Sequence, residues 1–272
     1  MLRQRVLVAA LLLPVGIALI FLGGLPYLLL VAFFMVTAVW EYAGLFAALG
    51  RRPARGLMAL GAAAFLLSRF FAAFRYDAHL LAALILLTLV YHMADYERGA
   101  PESATDFAVS LSGMLYIGFV GAYMVSLRQA ADGAWWVLLT LTSIWVADSG
   151  AYFAGRAWGK HPLSPRLSPK KTWEGYLAGV LGGALAGTVL GAAFPQAAAH
   201  TLAGITPGHG ALLGLLVSTL APLGDLGESL FKRQAGVKDS GSLLPGHGGA
   251  FDRVDSWLWA GLLAYYFIKF IL

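Results

Sequence analysis

Tyr27-Leu28-Leu29-Leu30-Val31-Ala32-Phe33-Phe34 runs without a polar interruption. A strand with one wet face would alternate apolar and polar side chains, and a membrane barrel would repeat that alternation strand after strand. A run that is apolar in every direction around its axis instead fits a helix surrounded by hydrocarbon or by other apolar helices. Extended outward, the block covers 27–47, and crossing a bilayer core takes about 20 such residues. Further stretches of this kind lie at 6–22, 56–74, 79–94, 106–127, 134–154, 173–194, 209–230 and 254–271; the stretch 79–94 is short and 209–230 is interrupted by Pro222. The expected fold is all-α, a polytopic integral membrane protein with about nine transmembrane helices.

Composition agrees. Of 272 residues, 59% are hydrophobic and 12% charged, about half the roughly 25% charge of a soluble domain. A soluble enzyme, a coiled coil, a disordered tail and a disulfide-stapled secreted domain are excluded. The absence of cysteine removes thiol catalysis, iron–sulfur clusters and cysteine–zinc sites. The net charge of +5 is modest, and its placement matters more than its sum. Arg3, Arg5, Arg51, Arg52, Arg55, Arg156, Lys160, Arg166, Lys170, Lys171, Lys232, Arg233 and Lys238 fall on one side if every stretch crosses, whereas 195–208 holds no Lys or Arg. The loop 95–104 is the exception, with Asp95, Glu97 and Glu102 against Arg98. The parity predicts a cytosolic N-terminus and an outward C-terminus. Arg3 and Arg5 before an apolar stretch also fit a signal peptide, but no small-x-small cleavage site follows, so the first span is expected to be retained.

The two halves read differently. In 1–130, taken as a scaffold of transmembrane helices with possible lipid or dimer contacts, polar residues sit mainly at span ends, with Glu41 and Arg69 as exceptions. In 131–272 acids, lysines and glycines enter the spans, so the chemistry is expected there. An Asp at a helix centre costs roughly 2.5–3.5 kcal/mol and asks for a reason. Asp148, in Trp145-Val-Ala-Asp-Ser-Gly-Ala-Tyr152, lies eight residues before Arg156, about 12 Å below the cytosolic rim. Asp225 lies seven residues before Lys232, about 10 Å below the same rim. Asp225, Glu228 and Ser229, at i, i+3 and i+4, share one helix face. Structural ion bridges between helices would also account for these acids.

Two loops complete the inventory. Ser168-Pro-Lys-Lys-Thr-Trp-Glu-Gly175 opens a span with Thr172 placed to cap it and Glu174 in the first turn. Lys170 and Lys171 at that helix N-terminus suit a phosphate, although lysines on a cytosolic loop also serve as orientation signals. Gly155-Arg-Ala-Trp-Gly-Lys160 is not a P-loop, because its glycine spacing is short and no Ser/Thr follows the lysine. The stretch from Ser229 to Asp255 packs four basic residues, three acids, one histidine and five glycines between two spans. Gly246, Gly248 and Gly249 permit tight turns around His247, and Asp252 and Asp255 share a face at i, i+3. Carboxylates from two elements, Asp225 and Asp252, suit Mg²⁺, and nearby Lys and Arg suit a polyphosphate. Phosphoryl and nucleotidyl transfer need little more than this.

These residues resemble a known signature. Ser229, Lys232, Arg233, Lys238, Asp239, Gly241, Leu244, Pro245, His247, Gly248, Gly249, Asp252, Arg253, Val254 and Asp255 match the closing motif of the phosphatidate cytidylyltransferase (CDP-diacylglycerol synthase) family. Ala250 departs, standing where that motif carries a bulkier apolar residue. Ser168–Gly175 and Asp148–Tyr152 are similar to family features in family order. The resemblance implies transfer of CMP from CTP to phosphatidate, giving CDP-diacylglycerol and pyrophosphate, in a helical bundle commonly paired as a homodimer. It implies Mg²⁺ on Asp225 and Asp252, with K⁺ as a second cation, and Lys232 and Arg233 beside them in the catalytic centre. Ser168, Lys170, Lys171, Thr172, Ser229, Lys238, Asp239, His247, Gly248, Gly249 and Arg253 fall at substrate-binding positions, and Asp148, Glu174, Glu228 and Asp255 at supporting ones. The implied location is a bacterial inner membrane with the site on the cytosolic side; CTP, phosphatidate and the bilayer are the expected partners, and nucleic acid is not. A cation-coupled transporter using Asp148 and Asp225 would explain intramembrane acids but not the dense 229–255 loop. A CTP-dependent enzyme for another lipid acceptor stays open.

Overall fold

The computed structural model describes residues 13–202, 204–243 and 248–272. Arg3, Arg5, most of the first predicted span's beginning, and Leu244 to His247 lie outside the described residues. The helices are α1 (Leu13–Leu22), α2 (Gly24–Ala48), α3 (Arg55–Ala72), α4 (Asp77–Glu97), α5 (Ser103–Gly113), α6 (Tyr123–Gln129), α7 (Gly133–Trp158), α8 (Trp173–Ala197), α9 (Pro207–Leu220), α10 (Pro222–Gln234) and α11 (Phe251–Ile271). They form two compact units, one of residues up to 126 with 231–255, the other of 127–230 with 256–272.

Among the described residues seven helical lengths are long and apolar enough to cross a bilayer, counting Ser103–Gln129 and Pro207–Gln234 as one length each. The all-α membrane architecture agrees with expectation, and the count of nine is not confirmed, the first stretch lying partly outside the described residues. The described part of the first stretch, α1, is too short by itself, and α11, which carries Asp252 in its first turn, is not among the seven. The chain is an integral membrane protein, all-α apart from one small hairpin.

In the first unit α2 enters from Gly23 and Gly24, both at positive φ (63° and 53°), where a side chain would be strained. It leaves through a Schellman-type end in which Arg51 N–H reaches Phe46 O at 3.1 Å. Between α5 and α6 the turn Met114–Phe119 widens to a π-helix. Close packing surrounds it: a Cβ on Gly113 would strike Tyr42 and Met58, and one on Gly118 would strike Ala62. Arg69 is fully buried at the end of α3. It meets Asp77 at 2.6 Å and Ser126 at 3.2 Å, with the Phe74 and Tyr123 rings 3.8 and 4.2 Å from its guanidinium carbon. Its mid-sequence charge is therefore structural.

In the second unit α8 packs between α7 and α9 along a stripe of glycines. Gly175, Gly179, Gly183, Gly187 and Gly191 recur every fourth residue and are buried. A Cβ at Gly175 or Gly179 would meet the α7 backbone, and one at Gly187 the Gly210 carbonyl of α9. The opposite face carries Leu177, Leu181, Leu185 and Val189, all more than half exposed. Small residues inward with large apolar ones outward is the arrangement expected when the surroundings are lipid. Pro222 breaks the eighth span between α9 and α10 as its missing N–H requires. The loop after α7 differs from its strandless expectation: β1 (Pro162–Ser164) and β2 (Ser168–Thr172) form an antiparallel hairpin with Pro162 opposite Thr172.

Candidate functional site

In the first unit the signature segment wraps around Asp252. Lys232 Nζ meets Asp252 Oδ1 at 2.6 Å. Ser240 N–H and Gly249 N–H donate to Asp252 Oδ2, both at 2.8 Å, and the Ser240 hydroxyl oxygen lies 2.9 Å from it. The Asp252 and Lys232 side chains are only 6% and 11% exposed, so this ion pair is largely removed from water. Gly248, at φ 80°, lets the chain turn here, and a Cβ on it would strike the Asp252 carboxylate. The flanks of the loop are anchored by aromatics: Tyr42 of α2 meets the rings of Phe231 and Phe251 edge-on, at 5.1 and 6.1 Å between centroids.

Glu41 of α2, one residue before that anchor, completes the enclosure. Its Oε1 accepts the Ala250 N–H at 3.0 Å, and its Oε2 accepts the Phe251 N–H and the Ser240 hydroxyl, both at 2.9 Å. Sequence reasoning noted Glu41 as an acid out of place but did not connect it with the signature, which lies some two hundred residues on. An acid in mid-helix of an otherwise apolar span was the signal that could have found it.

In the second unit the hairpin brings Lys171 to Asp225, Nζ to Oδ2 at 2.5 Å. Ser229 Oγ lies 3.4 Å from Asp225 Oδ1, one helical turn on. Here the side chains are 29% and 39% exposed. Asp148 is exposed on α7, and Lys171 and Asp225 are the charges that act on it. Thr172 caps α8 by accepting the Gly175 N–H at 3.2 Å. Glu174 holds the other root of the hairpin, accepting the Lys160 and His161 N–H groups at 3.2 and 3.3 Å and meeting His161 Nδ1 at 2.5 Å. Ser168 is half-buried and Lys170 exposed on β2; Glu228 is buried on α10.

The remaining signature residues take varied positions. Arg233 Nη1 reaches Val237 O at 3.4 Å. Lys238, Asp239 and Arg253 are exposed, Asp255 is buried, and His247 lies outside the described residues. Each unit thus presents a Lys–Asp pair, one enclosed and one open, from the segments that the sequence singled out.

The Cytidylyltransferase family profile matches residues 3–271. The chain belongs to this family. It is 36% identical over 300 residues to a phosphatidate cytidylyltransferase of Synechocystis sp., covering 99% of this chain and 97% of that one. It is 36% identical over 259 residues to that of Pseudomonas aeruginosa, covering 94% and 93%. A Haemophilus influenzae phosphatidate cytidylyltransferase is 43% identical over 142 residues, covering 52% of this chain and 48% of the other. The family membership extends over the N-terminal helices, beyond the 145–256 region that carries the sequence signature.

Proposed function

We propose that this chain is a phosphatidate cytidylyltransferase that transfers CMP from CTP to phosphatidate. The observation that carries the reading is similarity along nearly the whole chain to enzymes of that name. The residue chemistry is in keeping with it, because the signature segments supply carboxylates suited to a metal and lysines suited to phosphates. A phosphate oxygen of phosphatidate attacks the α-phosphorus of CTP, the new P–O bond forms, and the bond to the β-phosphate breaks as pyrophosphate leaves. A phosphomonoester is largely dianionic near pH 7, with its second pKa near 6, so no strong general base is required.

The donor set fits Mg²⁺. Asp252 offers a hard oxygen donor held by backbone N–H groups, and Asp225 offers another that is partly open. Mg²⁺ takes one or two carboxylates and leaves its other positions to water and phosphate. The family resemblance assigns Asp225 and Asp252 to it, and when bound it would neutralise charge on the α-phosphate. Lys171 and Lys232, now on those acids, turn to phosphate oxygens on substrate binding, joined by Lys170 and Arg233. Ser168, Thr172, Ser229, Lys238, Asp239, Gly248, Gly249 and Arg253, with His247, shape the nucleotide and lipid-phosphate contacts. Asp148, Glu174, Glu228 and Asp255 support them. The 1–130 segment serves as scaffold and the 131–272 segment as the main source of reacting groups. The placement in a bacterial inner membrane with the site facing the cytosol, the homodimer and the second cation K⁺ rest on the family resemblance and on the basic loops.

Purified protein in detergent, given CTP, phosphatidate and Mg²⁺, should release pyrophosphate and form CDP-diacylglycerol. No pyrophosphate release would overturn the reading. A panel of other lipid phosphates and alcohols reads acceptor specificity, and turnover confined to another lipid would overturn phosphatidate as the substrate.

A further inference from the structure

Glu41 belongs to a part of the chain with no share in the signature, yet its carboxylate is spent on three donors from it. Two of them, the N–H groups of Ala250 and Phe251, open α11. The first N–H groups of a helix have no partner within it, and Ala250 has no side-chain acceptor with which to cap its own helix. A carboxylate from another helix fills that role at the positive end of the helix dipole. The third donor is the Ser240 hydroxyl, whose oxygen lies 2.9 Å from both Glu41 Oε2 and Asp252 Oδ2. A hydroxyl has one proton to give, so Ser240 can serve one carboxylate at a time. The approach is close on both sides: a Cβ on Gly241 or Gly249 would run into the Glu41 carboxylate.

We propose that Glu41 is a positioning residue for Asp252, setting the start of α11 and the Ser240 hydroxyl so that the Asp252 carboxylate is held at one angle for its metal. The proposal rests on the reading of Asp252 as a metal-binding acid. A glutamine at position 41 has one acceptor oxygen in place of two, and its amide N–H₂ faces donors. One of the three bonds is then lost and Ser240 is released to Asp252. Aspartate keeps the charge and both oxygens but stops one methylene short.

The test uses the full chain in detergent, with Mn²⁺ binding followed by electron paramagnetic resonance beside Mg²⁺-dependent turnover. Supporting groups behind a metal ligand typically change metal affinity or activity by about 10–100-fold. Glu41→Gln should raise the Mn²⁺ dissociation constant and the half-saturating Mg²⁺ concentration by about that factor, and Glu41→Asp should recover part of the loss. Ser240→Ala should weaken Mn²⁺ binding in the same direction, and the double variant should lose less than the product of the single losses, since the two act through one contact. Wild-type Mn²⁺ affinity in Glu41→Gln would overturn the proposal. If Glu41→Gln fails to fold, wild-type affinity in Ser240→Ala would do so instead. Binding that is absent from the wild type, or unchanged in Asp252→Asn, removes the metal reading of Asp252 and the role of Glu41 with it. Binding that Asp252→Asn abolishes and Glu41→Gln leaves alone removes the role of Glu41 only.

Discussion

Asp252 and Asp225 each meet a lysine at nearly the same distance, 2.6 and 2.5 Å, in different units of the chain. Distance therefore does not distinguish them; surroundings do. Asp252 is 6% exposed and ringed by the Ser240 and Gly249 N–H groups, whereas Asp225 is 39% exposed and has one long contact to Ser229 besides its lysine. Desolvation decides what an ion pair does. A buried pair is costly to form and far more costly to break by halves, while an exposed pair is screened and contributes about 0–1 kcal/mol. The first unit holds an enclosed acid and the second a partly exposed one.

The largest effect should come from Asp252→Asn. An amide keeps the size but removes the charge, and its nitrogen faces N–H donors. Loss of one preorganised charge-stabilising group costs about 10²–10³ in turnover. CTP-dependent pyrophosphate release should fall by at least that factor while the protein still inserts and elutes as the wild type does. Activity retained within tenfold would break the picture of Asp252 as the enclosed acid on which turnover depends.

Next comes stability, where the two lysines should part company. Removing one partner of a buried pair costs about 3–5 kcal/mol. Lys232→Met should lie near the bottom of that range, because Asp252 keeps its backbone donors. Lys171→Met should cost less than about 1 kcal/mol, and that cost should shrink with salt. Thermal unfolding in detergent at low and high salt reads both. Equal losses would show that exposure does not separate the pairs.

Much of this was legible in sequence, for identifiable reasons. Helices announce themselves by continuous apolar runs such as Tyr27 to Phe34, the break at Pro222 follows from its missing N–H, and Thr172 reads as a cap from its place before α8. The signature made Asp252 and Lys232 visible as residues of interest, though not as partners of one another. What stayed hidden were contacts between distant parts of the chain. Glu41 meets residues 199–210 positions away, and no local pattern encodes such a meeting. The hairpin escaped because its strands are three and five residues long and hold Pro162 and Pro169, which disfavour strands away from an edge. The pairing of Lys171 with Asp225 depends on that hairpin and escaped with it.

The packing of the second unit gives a smaller and separate prediction. Its partly exposed acid, Asp225, belongs to a unit whose helices pack along glycines. Gly187→Leu puts a side chain where the Gly210 carbonyl stands, and overpacking costs about 1–3 kcal/mol. Leu181→Ala, on the exposed face of the same helix, should leave the thermal midpoint almost unchanged. A similar fall for both would mean that the glycine stripe is not the face that holds α8.

The smallest expected effect tests whether burial, and not membership of one unit, sets the behaviour of an ion pair. Arg51 and Glu102 lie in the same unit as Asp252, and Arg51 Nη1 meets Glu102 Oε2 at 2.6 Å, yet the Glu102 side chain is 57% exposed. The Arg51 hydrogen bond, then its charge, with a further bond from Thr105, hold the Glu102 carboxyl below the usual carboxylate range. A carboxyl lowered on folding contributes stability above its unfolded pKa, and that contribution is lost as the pH falls through the folded value. The window therefore lies at and below the ordinary glutamate pKa of about 4.3, outside neutral conditions. Carboxyl-carbon NMR with labelled glutamate should give Glu102 a midpoint below that of an unpaired glutamate in wild type, returning to the ordinary range in Arg51→Met. The thermal midpoint at pH 7 should be nearly the same for the two proteins. A marked fall in Arg51→Met at pH 7 would mean that this exposed pair behaves like the enclosed Lys232–Asp252 pair, and exposure would then no longer explain the contrast between Asp252 and Asp225.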